Sequence, residues 1–296
     1  MEQSRTQQES ARRIGPFRLI TRLDPPHSVL PCRRFVARTE DGGHTVLLNT
    51  PLPGTDPARF AAEAEAARFL LGPWIAPVTG VAAPGEAPWS SSPYLPALPL
   101  PVALAVHGGP LPESTVRAVG ATLAEALATA HGQGLTHAGV SPAAVLLTAD
   151  GPRLTCFGAV RAASADGEPR TGLPGLDPGA LAPEQASGGR PRPPGDVFAL
   201  GAVIAYAATG HTVPERDELP PALRPVIASC LARDPADRPT ATALMTALAP
   251  PTTHETVLNS GGTLLSPGWL PGRVVAALAR QSSELLAAEL PEPARV

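Results

Sequence analysis

The sequence has 296 residues, of which 43% are hydrophobic but only 4% aromatic, so a large core built mainly from alanine, leucine and valine is expected. Its net charge of −3 gives no indication of binding to nucleic acid or to an anionic membrane. The three cysteines, Cys32, Cys156 and Cys230, have neither disulfide-framework nor metal-ligand spacing and favour a reduced, intracellular setting.

The N-terminal stretch and the longest apolar run indicate in which compartment the protein is expected. The polar stretch 1–13 lacks the apolar centre of a signal peptide and is predicted to be disordered. The longest apolar run, 197–208, is too short to cross a bilayer. A cytoplasmic protein without a membrane segment is therefore expected.

The first hundred residues predict several strands and one helix. Short apolar or β-branched runs separated by turns predict antiparallel strands over 16–23, 33–38 and 45–50. A helix is predicted over 56–71, where an aspartate can cap the first turn and Phe60, Ala64, Ala67 and Leu71 fall on one face. A further strand is predicted over 74–81.

The clearest helix is predicted over 112–132, and it leads into a loop and hairpin that organise the rest of the chain. Two apolar strands, 145–148 and 153–155, flank the turn at Asp150-Gly151, which is a strong hairpin signal. The segment ends in Phe157-Gly158.

This layout resembles the catalytic hairpin of protein kinases, above all the bacterial serine/threonine kinases. In that family the loop has the sequence His-Arg-Asp-Leu-Lys-Pro-x-Asn, followed by a hairpin and by Asp-Phe-Gly. His137, Pro142, Phe157 and Gly158 stand where the family has them. Three later segments also match, namely Ala182-Pro183-Glu184, Gly195-Asp196 and Arg238-Pro239.

The resemblance implies an α+β, two-lobed protein-kinase-like fold over 14–249. The β-rich small lobe spans about 14–93, and the helical large lobe spans about 100–249. A linker is predicted over 250–270. The tail 271–296 is predicted to form an amphipathic helix, for which packing against the large lobe is favoured over binding to a partner.

The resemblance also gives structural roles to several matching residues. It implies a buried ion pair between Glu184 and Arg238 and makes Asp196 an anchor that accepts backbone donors of the catalytic loop. His137 is expected to be structural and to pack near Phe157.

The reactive positions of the family are replaced. Ala138, Gly139, Ser141, Ala144 and Cys156 stand where the family has Arg, Asp, Lys, Asn and Asp. Asn49 replaces the lysine that holds the ATP phosphates, and the chain has no lysine at all. Glu63 matches the glutamate that pairs with that lysine, so a solvated helix charge is expected there. The hairpin 23–29, which covers the phosphates in the family, has no glycine.

A working kinase needs a carboxylate base, two metal-holding groups and a cation on the phosphates. The replacements predict a catalytically inactive pseudokinase, hence not an enzyme, that serves as a protein-binding, regulatory or scaffold module. Its expected partner is a protein, with another kinase as one option. No cofactor or metal is expected, and ATP binding is not expected.

Two alternatives stay open. One is a divergent serine/threonine kinase with weak ATP-dependent phosphotransfer. The other is an ATP-binding, non-catalytic sensor, which would need an adenine slot between Val46, the hinge at 94–100 and the pair Val145 and Leu147. A third idea, a hydrolase nucleophile elbow at 139–143, lacks the flanking strand and helix. Cys156 is interpreted as a small buried residue rather than a reactive thiol.

Overall fold

The small lobe is built on a six-stranded antiparallel sheet in the order β1-β2-β3-β4-β6-β5. The computed structural model describes residues 13–25, 28–249, 265 and 267–288. The strands of this sheet are β1 (Arg13–Ile14), β2 (Phe17–Arg22), β3 (Cys32–Thr39), β4 (Thr45–Pro51), β5 (Gly80–Val81) and β6 (Ser90–Pro93). The predicted strands near 16, 33 and 45 are thus present, whereas the strand predicted over 74–81 shrinks to its last two residues.

Among the described residues of the small lobe, one helix, α1 (Pro57–Ala67), accompanies this sheet. The carboxylate of Asp56 accepts hydrogen bonds from the backbone N–H groups of Ala58 and Arg59, as the N-cap prediction requires. The helix ends four residues earlier than predicted. Leu71 consequently lies outside it and is 62% exposed, so the predicted apolar face does not extend that far.

The large lobe is helical, and its core is one cluster of alanine, leucine, valine and isoleucine side chains. The long helix α3 packs against α6 and α8 at the centre of this core. Its helices are α2 (Leu100–His107), α3 (Glu113–Gly132), α4 (Ala159–Ala163), α5 (Pro183–Ala186), α6 (Pro193–Thr209), α7 (Arg224–Cys230) and α8 (Ala241–Leu248). Short 3₁₀ turns lie at Pro142–Ala144 and Pro235–Asp237.

A second, three-stranded sheet lies where the two lobes meet. Its order is β7-β8-β9, formed by Ala97–Pro99, Val145–Thr148 and Gly151–Leu154. The Asp150-Gly151 turn joins β8 to β9, as predicted, and Ile75 of the small lobe bridges to Leu154 at the end of β9. This sheet delivers the segment 155–158 into the cleft between the lobes.

The last described helix, α9 (Gly272–Ala287), packs on the large lobe. Val274 and Leu278 are buried in the large-lobe core, and the side-chain oxygen of Gln281 accepts a hydrogen bond of 2.9 Å from the backbone N–H of Ala97. The apolar residues of this predicted amphipathic helix are only partly buried, since Val275 and Leu286 are 48% and 82% exposed. Almost all of the predicted disordered stretch 1–13 and most of the predicted linker 250–270 lie outside the described residues.

A β-rich small lobe above a helical large lobe is the protein-kinase-like fold predicted from the sequence. It is mixed α/β, with a curled antiparallel sheet in the small lobe. Within the described ranges, no helix has the length and apolar character needed to cross a membrane.

Candidate functional site

The loop that precedes β8 is held from below by Asp196, which is buried near the start of α6. Its two carboxylate oxygens accept hydrogen bonds of 2.7 Å from the backbone N–H groups of His137 and Ala138. One of these oxygens also lies 2.9 Å from the imidazole of His131. Charge-assisted bonds to backbone donors are strong, and they fix Ala138 in a left-handed conformation with φ 51°. Asp196 therefore has the geometry of the anchor that the resemblance implies.

The next residues of this loop are engaged in its own backbone structure. The hydroxyl oxygen of Ser141 accepts a hydrogen bond of 3.3 Å from the backbone N–H of Ala144. The carbonyl of Ala144 accepts from both the backbone N–H and the hydroxyl of Thr155, at 2.9 and 2.8 Å. A Cβ at Gly139 would lie 1.9 Å from the carbonyl oxygen of Cys156. The backbone here is packed too closely for a side chain at position 139.

His137 is buried beneath Phe157, and the two rings meet edge to face with centroids 5.6 Å apart. Neither ring nitrogen of His137 has a hydrogen-bond partner. Burial lowers the pKa of this imidazole to about 4, so it is neutral at physiological pH. The packing against Phe157 agrees with the structural role expected for this histidine.

Acidification is expected to destabilise the protein through His137. Its pKa in the folded state is about 4, below the unfolded value, so the unfolded chain binds more protons and stability falls as the pH decreases from about 6.5 towards 4. At pH 4 this effect lowers the free energy of unfolding by on the order of 3 kcal/mol relative to neutral pH. Urea unfolding at several pH values should show this loss in the wild type and less of it in His137→Leu. The control His211→Gln replaces an exposed histidine and should retain the full pH dependence. If the free energy of unfolding of His137→Leu falls with pH as steeply as that of the wild type, the assignment of this loss to His137 is contradicted.

A buried ion pair that the sequence analysis missed lies inside the cleft. Arg34 of β3 and Asp24, just after β2, form a salt bridge in which both side chains are about 1% exposed or less. The Nε of Arg34 donates to Asp24 at 2.8 Å, and its Nη1 donates to the hydroxyl of Thr155 in the large lobe at 3.1 Å. The alternation of buried and exposed residues along β3 could have indicated this pair, because Arg34 lies on the same face as the buried residues Cys32 and Val36.

Asn49 lies beside this pair on β4. Its amide nitrogen donates to the hydroxyl of Ser90 at 3.3 Å, and its oxygen lies 4.0 Å from the thiol of Cys32. In the family the equivalent lysine contacts phosphate, whereas here the buried cation of the cleft comes from Arg34.

Glu63 has a partner, contrary to the expectation of a solvated charge. Its carboxylate accepts from Arg161 of α4, with the closest approach at 2.7 Å, and the two side chains are 18% and 26% exposed. Arg161 also donates to the carbonyl of Thr136 at 3.0 Å and lies over the ring of Phe157. This contact joins helix α1 to the segment after Phe157-Gly158. Glu63 and Arg161 are 98 residues apart, so no local sequence pattern indicates the contact.

Replacement of Glu63 by glutamine is expected to lower the free energy of unfolding by about 1 kcal/mol. The pair is partly buried and bidentate, so it contributes more than a typical surface salt bridge. Chemical denaturation measures the difference. The control Glu65→Gln removes a surface pair with Arg68 on the same helix and should cost less than about 0.5 kcal/mol. Equal losses in the two variants would contradict the distinction.

Glu184 and Arg238 form the ion pair that the resemblance implies, although only the arginine is buried as expected. Two parallel hydrogen bonds of 2.7 and 2.8 Å join the guanidinium to the carboxylate. The arginine side chain is fully buried, but that of Glu184 is 31% exposed. The pair joins α5 to the turn before α8 and lies away from the cleft.

The adenine slot outlined from the sequence is displaced by one residue on each strand. Leu47 and Leu146 face the junction and pack together with Leu23, Tyr94 and Ala97. Val46 instead lies on the opposite face of the small-lobe sheet. Val145 and Leu147 are part of the large-lobe core. The predicted slot residues are therefore each one position away from the residues that face the junction, because successive side chains of a strand point to opposite faces of the sheet.

A small pocket with a cavity volume of about 60 Å³ lies between α1, β4 and the segment around Phe157. Polar groups that line it include Asn49, Glu63, His137 and Cys156. In the parts of the chain that the structure describes, no group of three or more His, Cys, Asp or Glu side chains could hold a metal. The residues present do not fit the magnesium ions that accompany ATP in kinases. Arg34, a buried cation close to this pocket, does not line it and is already paired with Asp24.

Comparison with known proteins places the chain beside bacterial kinases. It is 33% identical over 290 residues to the serine/threonine-protein kinase AfsK of Streptomyces coelicolor, covering 90% of this chain and 35% of AfsK. It is 34% identical to the probable serine/threonine-protein kinase PkwA of Thermomonospora curvata over 80% of this chain and 34% of PkwA. Identity to the serine/threonine-protein kinase PknK of Mycobacterium tuberculosis is 35%, over 65% of this chain and 20% of PknK.

The chain thus spans about a third of the length of AfsK and PkwA. No protein-family model matches it. The comparisons contradict the prediction that the chain is not an enzyme, because the relatives that cover most of it are named serine/threonine-protein kinases. The replaced residues were given too much weight against the overall similarity.

Proposed function

Since the chain belongs to the protein kinase superfamily, we propose that it is a divergent serine/threonine protein kinase domain with weak ATP-dependent phosphotransfer. The observation that carries the proposal is the 33% identity over 90% of the chain to a protein named as such a kinase. The retained frame supports it, because Asp196 still anchors the loop at His137 and Ala138. A protein partner and a cytoplasmic location stay predictions.

Arg34 is the residue that would hold the anionic part of the nucleotide. A guanidinium can donate two parallel hydrogen bonds to a phosphate, and it stays charged when buried. In the structure Asp24 occupies this guanidinium, and Leu47 packs with Leu146 across the junction of the lobes. Binding of ATP therefore requires the Asp24–Arg34 pair to part and the lobes to separate at this cluster.

The replaced residues set the expected rate. A positioned general base contributes about 10²–10⁴-fold in rate, and kinases turn over at about 1–100 s⁻¹. Glycine at position 139 cannot act as a base, so a turnover on the order of 10⁻² s⁻¹ or below is expected. The slow phosphotransfer thus follows from the missing base at position 139, whereas binding of the nucleotide depends on Arg34.

Transfer of labelled γ-phosphate from ATP to the full chain itself and to a generic protein acceptor tests the proposal. The wild type should incorporate label slowly, and the uncharged double variant Asp24→Asn/Arg34→Gln should incorporate it at least tenfold more slowly. The matched control Arg33→Gln changes the exposed neighbour on the same strand and should keep the wild-type rate. No incorporation by the wild type at millimolar ATP, or equal incorporation by all three proteins, would overturn the proposal.

A further inference from the structure

Two of the three cysteines of the chain meet across the cleft. The Sγ of Cys32 in β3 lies 4.0 Å from the Sγ of Cys156, although 124 residues separate them. Cys32 belongs to the small lobe, while Cys156 follows β9 of the large lobe. Cys230 is buried in the core of the large lobe and takes no part.

The surroundings give the two thiols different roles. Both thiols line the pocket beside α1, but Cys156 is partly exposed, so a small solute can reach it, whereas Cys32 is only 5% exposed. A hydrogen bond from Cys32, together with the nearby cation of Arg34, outweighs partial desolvation and lowers the pKa of Cys156 to about 7. The same contact and burial raise the pKa of Cys32 well above its ordinary value. The accessible thiol is thus the better nucleophile of the two.

We propose that Cys32 and Cys156 are a redox site that forms a reversible disulfide between the two lobes when a peroxide enters the pocket. The thiolate of Cys156 attacks the O–O bond of the peroxide. This gives a sulfenic acid at Cys156 and, for hydrogen peroxide, one water. The sulfur of Cys32 then attacks the sulfenic sulfur, and the hydroxyl leaves with the thiol proton as a second water.

The two thiols lose two electrons and two protons in total, and the peroxide is reduced to two waters. The sulfurs must approach from 4.0 Å to about 2.05 Å, a shift of about 2 Å. A cellular thiol would reverse the reaction by exchange, as is typical of regulatory disulfides in a reducing compartment.

The bond would fix the two lobes against each other beside Arg34, Asn49 and Thr155. Opening of the cleft requires β3 to move away from the segment before Phe157, and a disulfide there prevents that movement. Formation of the disulfide does not depend on the proposed phosphotransfer, because it is a property of the thiols alone.

The test uses the full-length protein treated with hydrogen peroxide and then digested at arginine. Peptides 23–33 and 154–161 should appear joined, with two hydrogens lost, and free thiols should fall from three to one. Addition of dithiothreitol should restore all three. The oxidised protein should melt several degrees higher, because the link closes a long loop of the unfolded chain.

Two variants separate the roles of the thiols. In Cys32→Ser, a sulfenic acid at Cys156 should persist and react with dimedone. Cys230→Ser should form the disulfide as readily as the wild type. Stepwise oxidation of Cys156 to sulfinic acid without a joined peptide, or equal oxidation of Cys230, would overturn the proposal.

Discussion

Replacement of Arg34 by methionine should lower the free energy of unfolding by about 3–5 kcal/mol, the largest single effect expected in the cleft. The change leaves the carboxylate of Asp24, whose side chain is 1% exposed, without its cation. It also removes the donor to Thr155 and so weakens the link between the lobes. Urea unfolding followed by circular dichroism measures the loss.

A double variant shows whether the loss comes from an unpaired buried charge. Asp24→Leu/Arg34→Met replaces both charges by apolar groups and should recover most of the stability, because replacement of a buried pair by packed apolar residues is often neutral. Arg33→Met, at the exposed neighbouring position, should change stability by less than about 0.5 kcal/mol. A double variant as unstable as Arg34→Met would contradict this explanation.

Replacement of Gly139 by alanine should cost about 3 kcal/mol. The new Cβ would lie 1.9 Å from the carbonyl oxygen of Cys156, and that atom belongs to a backbone segment that cannot turn aside like a flexible side chain. Overpacking of this kind costs about 1–3 kcal/mol or more. Gly139→Asp should be at least as unstable, so restoring the family's carboxylate at this single position should not restore a fast rate.

Gly132→Ala is the matched control for this prediction. An added Cβ there meets no atom within 4 Å, and the residue ends α3, where alanine favours the helix. Its stability should be equal to or slightly above that of the wild type. If Gly139→Ala melts at the same temperature as Gly132→Ala, the loop is looser than its packing against Cys156 indicates.

Local patterns in the sequence were sufficient for most of the fold. Strand alternation and the Asp150-Gly151 turn gave β2, β3, β4 and the β8–β9 hairpin, and Asp56 gave the start of α1. The end of α1 and the strand over 74–81 were wrong. Tertiary contacts decide there, since the chain instead turns so that Ile75 bridges to Leu154.

The candidate site was harder to predict, because its main contacts join residues distant in sequence. The partner of Glu63 is Arg161, which no helical spacing could indicate. The Asp24–Arg34 pair could have been found, since alternation places Arg34 on the inner face of β3. The same alternation shows why the adenine slot was misassigned, because a shift of one residue exchanges Leu47 for Val46.

A thermal-shift titration of the full chain with ATP tests most directly whether this cleft serves a kinase substrate. The melting temperature of the wild type should rise saturably at millimolar ATP, since a ligand that binds only the folded state stabilises it by RT ln(1 + [L]/Kd). Asp24→Asn should respond at lower ATP concentrations, because Arg34 then lacks its competing carboxylate, and Arg34→Gln should respond least. If the melting temperatures of the wild type and of Asp24→Asn do not change at millimolar ATP, the proposed kinase activity is contradicted.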